Sequence, residues 1–136
     1  MRLVSRYAPP LAVMVLIYVL SAQPDLHTDL GVWDTVLRKL AHITVFGALW
    51  LTIVRATDWR RPLLSTVIAV LYAVSDEVHQ TFVNDRYGSP FDVAIDTLGM
   101  GLAALAWVHA ALRRGGRPGP PWPLRAGGAA TASRAR

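Results

Sequence analysis

The hydrophobic residues of this chain fall into four stretches that are separated by short polar segments. They cover residues 9–22, 36–54, 62–83 and 90–112. A helix needs roughly 20 apolar residues to cross the hydrocarbon core of a bilayer, within a range of about 17–25. The last three stretches meet that length, whereas the first is short, because Pro9 and Pro10 oppose its extension toward the N-terminus. The pattern predicts an all-α integral membrane bundle of four transmembrane helices.

The first stretch has two interpretations that both stay open. Arg2 and Arg6 followed by an apolar run resemble a secretory signal peptide, which would be cleaved after Ser21. The alternative is a retained first helix. In both cases residue 23 emerges on the outer side of the membrane, so the orientation of the later segments is the same.

The distribution of basic residues predicts the orientation. Lys and Arg are enriched in the cytoplasmic loops of membrane proteins. One set of loops carries eight basic residues and the opposite set carries three, which places both termini in the cytoplasm. The eight are Arg2, Arg6, Arg55, Arg60, Arg61, Arg113, Arg114 and Arg117, and the three are Arg38, Lys39 and Arg86.

Composition separates a membrane domain from a tail. Residues 1–112 hold eight basic and nine acidic residues, whereas residues 113–136 hold six arginines and no acid. The first part therefore lacks the excess positive charge that nucleic-acid binding requires. The second part is rich in Gly, Pro, Ala and Arg, a composition typical of disorder. We predict a transmembrane domain at 1–112 and a disordered basic cytoplasmic tail at 113–136. The chain has no cysteine, which excludes disulfides and thiol nucleophiles.

The ionisable residues of three separate segments converge on the predicted outer side. They lie early in the second stretch, late in the third, in the following loop and early in the fourth. Ionisable groups inside a membrane are costly and usually mark a functional site. A structural ion network that only holds the helices together is the alternative, since the opposite charges are nearly balanced. The candidate ligand-binding residues are Lys39, His42, Asp76, Glu77, Gln80, Arg86, Asp92 and Asp96.

Helical spacing indicates how these residues face one another. Residues three or four apart share a helix face, so Gln80 should lie near both Asp76 and Glu77. Asp92 and Asp96 are four apart, and Gly99 and Ala103 continue their stripe. Small residues at this spacing let helices approach closely, so these acids are expected to face the bundle. The NDRYG segment at 84–88 predicts a tight turn, with Ser89 as a helix cap before Pro90.

Residues 12–112 resemble the VanZ-like family of small membrane proteins. The matching segments are KLAHITVFG, SDEVHQTFV and DRYGSPFDVAIDTLGMG, together with Ser21, Gln23 and Pro24 after the first stretch. Thr44 and Val45 depart from the aromatic residues common in the family, and Asp96 replaces a frequent Asn. The resemblance implies a multi-span protein of the bacterial cell membrane. The founding member is linked to resistance to teicoplanin, a glycopeptide that carries a lipid chain.

Three functional hypotheses follow. The first is an accessory cell-envelope protein without enzymatic activity that binds an amphiphile, either a lipid-linked cell-wall precursor or a lipoglycopeptide. The second is a membrane enzyme acting on a lipid-linked substrate, with Glu77 or Asp76 as general base and His42 as general acid. Asp92 and Asp96 are then weak candidates for a divalent ion, although no metal or other cofactor is otherwise predicted. The third is proton-coupled transport through the acidic residues. Its weakness is that no ionisable residue is evident in the inner half of any predicted span.

Overall fold

Four α-helices account for the regular structure of the part of the chain that the computed structural model describes, residues 2–23, 31–84 and 86–115. Helix α1 spans Arg2–Ser21, α2 Val32–Ala56, α3 Pro62–Gln80 and α4 Pro90–Leu112. No strand occurs in these ranges. The predicted all-α fold is confirmed. The predicted disordered tail is residues 113–136, and from residue 116 onward it lies outside these ranges.

Helix α1 begins earlier than the sequence predicts. It starts at Arg2, so Pro9 and Pro10 lie inside it. A proline within a helix removes one backbone hydrogen bond to the residue four positions earlier. For Pro9 that acceptor is the Ser5 carbonyl, which instead accepts a hydrogen bond of 3.1 Å from the Arg55 guanidinium. Neighbouring Arg6 donates to the Ala56 carbonyl at 2.6 Å. Arg55 thus satisfies the carbonyl that Pro9 leaves free, and Arg6 satisfies a carbonyl at the end of α2.

The helices alternate in direction, which brings the start of α2 and α4 to the same end as the finish of α1 and α3. We call this the polar end, because Lys39, Glu77 and Asp92 lie there. Arg6, from the other end of α1, forms an ion pair with Asp58 in the α2–α3 loop. Helix α2 packs against all three other helices, most extensively against α4. Within the described residues α1 and α4 make no helix–helix contact, so they lie on opposite sides of α2 and α3.

The hydrophobic core lies between the polar end and the opposite end. Phe46, Leu49 and Trp50 of α2 are fully or almost fully buried, and the Trp50 indole nitrogen donates to Thr66 on α3 at 2.8 Å. Near the opposite end, Trp107 packs edge-on against Trp50 and stacks on Trp59. Trp107 lies near the end of its predicted span, where indole rings commonly sit at the membrane interface, but the side chain is buried inside the bundle instead.

Two glycines let α2 and α4 approach closely. A Cβ atom added to Gly99 would lie 2.3 Å from the Ile43 carbonyl oxygen, and one added to Gly47 would lie 3.0 Å from the Gly99 carbonyl oxygen. Both distances are shorter than an ordinary van der Waals contact. The backbones of the two helices are therefore in contact, as the small-residue stripe predicts.

The surface of the bundle is apolar, as expected for a protein that contacts lipid. Three helical segments are long and apolar enough to cross a membrane: Leu3–Ser21, Val32–Ala56 and Pro90–Leu112. At most 28% of the residues in their most apolar parts are buried, so most of their hydrophobic side chains face outward. Helix α3 has 19 residues, and Asp76, Glu77 and His79 lower the hydropathy of its last turns. Three of the four predicted spans are therefore long and apolar enough to cross a membrane, and α3 is the exception.

Candidate functional site

A cavity of about 380 Å³ opens at the polar end among α2, α3 and α4. Its lining combines carboxylates, cationic groups and amide and hydroxyl groups, so it suits a ligand with a charged or multiply hydrogen-bonding part. Seven of the eight candidate ligand-binding residues line it, and Asp76 is the exception. The seven are Lys39, His42, Glu77, Gln80, Arg86, Asp92 and Asp96.

Two successive polar pairs join α2 to α4 along one wall of the cavity. Lys39 Nζ donates to Asp92 Oδ1 at 2.7 Å, and His42 Nδ1 lies 3.0 Å from Asp96 Oδ1. The helices run in the same direction, so residues spaced by three on α2 meet residues spaced by four on α4. The Lys39–Asp92 pair is partly exposed, whereas the Asp96 side chain is completely buried. The polar contacts between α2 and α4 thus extend from the partly exposed mouth of the cavity to its buried part.

Glu77 fixes the loop that closes the cavity on the α3 side. Its Oε2 accepts a hydrogen bond of 2.8 Å from the backbone nitrogen of Ser89, and its Oε1 accepts one of 3.3 Å from Gln80. Ser89 in turn caps α4, because its hydroxyl oxygen accepts a hydrogen bond from the Phe91 backbone nitrogen at 3.1 Å. Gly88 has no space for a side chain, since an added Cβ would lie 2.2 Å from the Glu77 carbonyl oxygen. The predicted cap is present, whereas the predicted turn at 84–88 includes residue 85, which lies outside the described residues.

Asp76 points away from the cavity, toward α1. Its Oδ2 accepts hydrogen bonds from the Ser21 hydroxyl at 2.8 Å and from Gln80 Nε2 at 3.0 Å. The backbone carbonyl of Ser21 accepts a further hydrogen bond of 2.9 Å from Arg86. Asp76 and Arg86 therefore attach the end of α1 to the polar end of the bundle. Gln80 contacts both Asp76 and Glu77, as its spacing predicts.

A second, mostly apolar groove of about 420 Å³ runs between α1 and α2 beside the cavity. Leu20 and Leu37 line it and are about half exposed, so it is open at the outer surface of the bundle. The groove and the cavity are adjacent because some residues line both. The shared residues are Asp34, Arg38, His42 and Arg86.

Sequence reasoning missed several residues of this end. Arg38 is not among the candidate ligand-binding residues, yet it lines the cavity and forms an ion pair of 2.9 Å with Asp34. Ser21 is part of the family resemblance, but the sequence does not indicate its partner Asp76, because that contact depends on which helices are neighbours. His79 is also absent from the candidates, and it stacks on Tyr18 of α1 with ring centres 4.4 Å apart.

Metal-ligand geometry also differs from the expected pair of acids. Asp92 is engaged by Lys39, whereas Asp96 lies with His42 and Glu77 in a group whose potential ligand atoms are all within 4.8 Å of one another. The group combines one imidazole nitrogen with two carboxylates.

The fold and the apolar surface define the class of protein as a small polytopic helical membrane protein. The family model described as VanZ/LLP1 matches residues 5–112, and the chain belongs to this family. No curated protein and no solved structure matches the chain.

Proposed function

We propose that the protein is an accessory cell-envelope protein that binds the head group of an amphiphile at the outer leaflet and contributes to teicoplanin tolerance. The observation that carries this proposal is the adjacency of the polar cavity and the apolar groove. An amphiphile needs both environments, since its head group is charged or hydrogen-bonded and its chain is apolar. The ligand class is a lipid-linked cell-wall precursor or a lipoglycopeptide.

The charged residues of the cavity suit such a head group. Lys39 and Arg86 offer cationic groups to a phosphate or carboxylate. Glu77 and Asp92 offer carboxylate oxygens to hydroxyl or ammonium groups. Binding would exchange part of the Lys39–Asp92 pair for contacts to the ligand, and both side chains are partly exposed and accessible.

In the proposed orientation the cavity faces the outside, both termini are cytoplasmic and all four helices span the membrane of a bacterium. The eight-to-three distribution of basic residues supports the orientation. Helix α3, with 19 residues, is about 28 Å long, close to the hydrocarbon thickness. Its Asp76 and Glu77 are buried against the other helices rather than exposed to lipid, which supports its role as the fourth span.

The test compares teicoplanin with vancomycin, which lacks the acyl chain. Expression in a susceptible Gram-positive host should raise tolerance to teicoplanin more than to vancomycin. In vitro, the purified protein in nanodiscs should bind teicoplanin at least about tenfold more tightly when affinity is expressed against bulk concentration, because each acyl CH₂ that enters the membrane contributes about 0.8 kcal/mol and about 1.4 kcal/mol is tenfold. The Lys39→Ala variant should lose both effects at unchanged abundance.

The matched control is Arg60→Ala, which removes an exposed cation from the opposite end of the bundle. It should leave both effects unchanged. Equal protection against the two antibiotics, or equal binding by the Lys39→Ala and Arg60→Ala variants, would contradict the proposal.

A membrane enzyme acting on a lipid-linked substrate is the second candidate, and the His42–Asp96 hydrogen bond favours it. A carboxylate beside an imidazole fixes its tautomer and orientation, which is an arrangement used in general acid–base catalysis. Glu77 lies within reach as the partner base or acid. Catalytic turnover of a lipid-linked diphosphate, abolished in His42→Gln, would favour the enzyme, whereas stoichiometric binding without product would favour the accessory role.

A further inference from the structure

His42, Glu77 and Asp96 come from three different helices and converge at the inner part of the cavity. Each offers one potential ligand atom, and these atoms lie within 4.8 Å of one another. Glu77 is 5% exposed and Asp96 is completely buried, so this is not a solvated acidic surface. Convergence alone does not make a metal site, because the His42–Asp96 hydrogen bond accounts for part of it.

The second observation is an unsatisfied atom of Asp96. Its Oδ1 contacts His42 Nδ1 at 3.0 Å, but its Oδ2 is buried and has no hydrogen-bond partner within the described part of the chain. Leaving a buried carboxylate oxygen without a partner is costly, and such atoms are rare in folded proteins. This oxygen therefore points to a positively charged or donating group that the side chains themselves do not supply.

The charge around Asp96 leads to the same conclusion. The cationic side chains of the cavity have other partners: Lys39 pairs with Asp92, Arg38 pairs with Asp34, and Arg86 donates to the Ser21 carbonyl. Asp76 is held by the neutral donors Ser21 and Gln80, and Glu77 by Gln80 and a backbone N–H group. The two buried carboxylates of Glu77 and Asp96 thus share a single imidazole in this part of the cavity, with Asp76 buried behind them on the α1 side. A divalent cation among them would offset this negative charge.

We propose that His42, Glu77 and Asp96 bind one divalent first-row transition-metal ion, Zn²⁺ or Mn²⁺. Imidazole suits zinc and carboxylates suit manganese, and both ions accept this mixed set of ligands. Two adjacent ligands of an octahedral ion with bonds of about 2.1 Å lie about 3 Å apart. The 3.0 Å between His42 Nδ1 and Asp96 Oδ1 matches that separation. The second oxygen of Asp96 gains its partner when the carboxylate binds in a bidentate manner.

The ion would also add to the proposed function, because its remaining coordination positions face the cavity. They would accept a phosphate or carboxylate oxygen of the head group, beside Lys39. This role of the ion rests on the proposed function, but the presence of the ion does not. Its content can be measured without any amphiphile, so failure of one proposal is distinguishable from failure of the other.

The experiment uses the full chain purified in nanodiscs, stripped with a chelator, and titrated with Zn²⁺ or Mn²⁺. Elemental analysis after gel filtration should find one ion per chain. The Asp96→Asn and His42→Gln variants should bind at least about tenfold more weakly, since even partners behind the ligands contribute 10–100-fold. The matched controls are Asp34→Asn, which removes another carboxylate of the cavity, and His109→Gln, which removes an exposed imidazole near the opposite end.

An ion-free wild type would overturn the proposal, as would equal loss of affinity in Asp34→Asn and Asp96→Asn. If the ligand variants do not fold, the wild type still decides the matter. Electron spin-echo spectra of the Mn²⁺-loaded protein should show coupling to the nitrogen of one imidazole. Spectra without nitrogen coupling would also overturn the proposal.

Discussion

Replacing Gly99 by alanine tests the close approach of α2 and α4 directly. The added Cβ would lie 2.3 Å from the Ile43 carbonyl oxygen and 2.9 Å from the Ile43 Cα. An ordinary contact is 3.4 Å or longer, so the backbones must separate by about 1 Å. The obstacle is backbone rather than a flexible side chain, and it cannot rotate away.

Separation at Gly99 also affects the polar end. Gly99 lies one turn from Asp96, and Ile43 follows His42 directly. Moving the helices apart by about 1 Å would lengthen the His42–Asp96 contact from 3.0 Å to about 4 Å, beyond hydrogen-bonding distance. Overpacking of this kind costs about 1–3 kcal/mol, and we expect the upper part of that range. The gain in helix propensity from glycine to alanine, about 0.5–1 kcal/mol, offsets part of the cost.

Gly101→Ala is the matched control, because it makes the same change two residues away with nothing within 4 Å of the added atom. Unfolding in mixed micelles, followed by tryptophan fluorescence, should show Gly99→Ala about 2–3 kcal/mol less stable than Gly101→Ala, because the propensity gain is common to both variants and cancels. In a double-mutant cycle, Asp96→Asn should have a smaller effect in the Gly99→Ala background than alone. Equal stability of the two alanine variants would refute the close packing of these helices.

Three further predictions concern other parts of the molecule. Alkaline phosphatase fused within residues 25–30 should be active and a fusion after Arg117 inactive; the reverse pattern would contradict the proposed orientation. Trp107→Ala should lower stability by about 3–5 kcal/mol in the micelle assay, because it removes a buried side chain packed against two other tryptophans. In a double-mutant cycle, Lys39→Met and Asp92→Asn should each cost about 1 kcal/mol less stability in the background of the other change than alone. The coupling is small because the pair is partly exposed, and additive effects would show that the two charges do not interact.

The convergence of polar residues could be predicted because alternating helices fix which ends meet. Once Lys39 and Asp92 are placed near the starts of two spans that run in the same direction, their proximity follows. The small-residue stripe at Gly99 also follows from helical periodicity alone. These features depend on spacing along one helix and on the direction of each span.

Other features depend on which helices are neighbours, and periodicity carries no such information. The Ser21–Asp76 hydrogen bond requires contact between α1 and α3. Where α1 continues through its prolines, the freed carbonyl of Ser5 accepts a hydrogen bond from Arg55 of α2. Trp107 is buried because Trp50 and Trp59 form its packing partners, although its sequence position favours the interface. Each of these outcomes reflects a tertiary contact that overrides a local preference.

Because the groove between α1 and α2 is open toward the lipid, the ligand concentration that matters is its concentration in the membrane. A molecule that enters between these helices comes from the leaflet, where it is confined to two dimensions, and its abundance is a mole fraction of lipid. The membrane has already removed the chain from water, so ordinary lipids compete equally well for the groove. Discrimination must then come from the head group, and a dilute species can fill the site only through contacts that the surrounding phospholipids cannot make. Binding isotherms measured at different total lipid concentrations should therefore superimpose when plotted against the mole fraction of ligand in the membrane. They should separate when plotted against its bulk concentration.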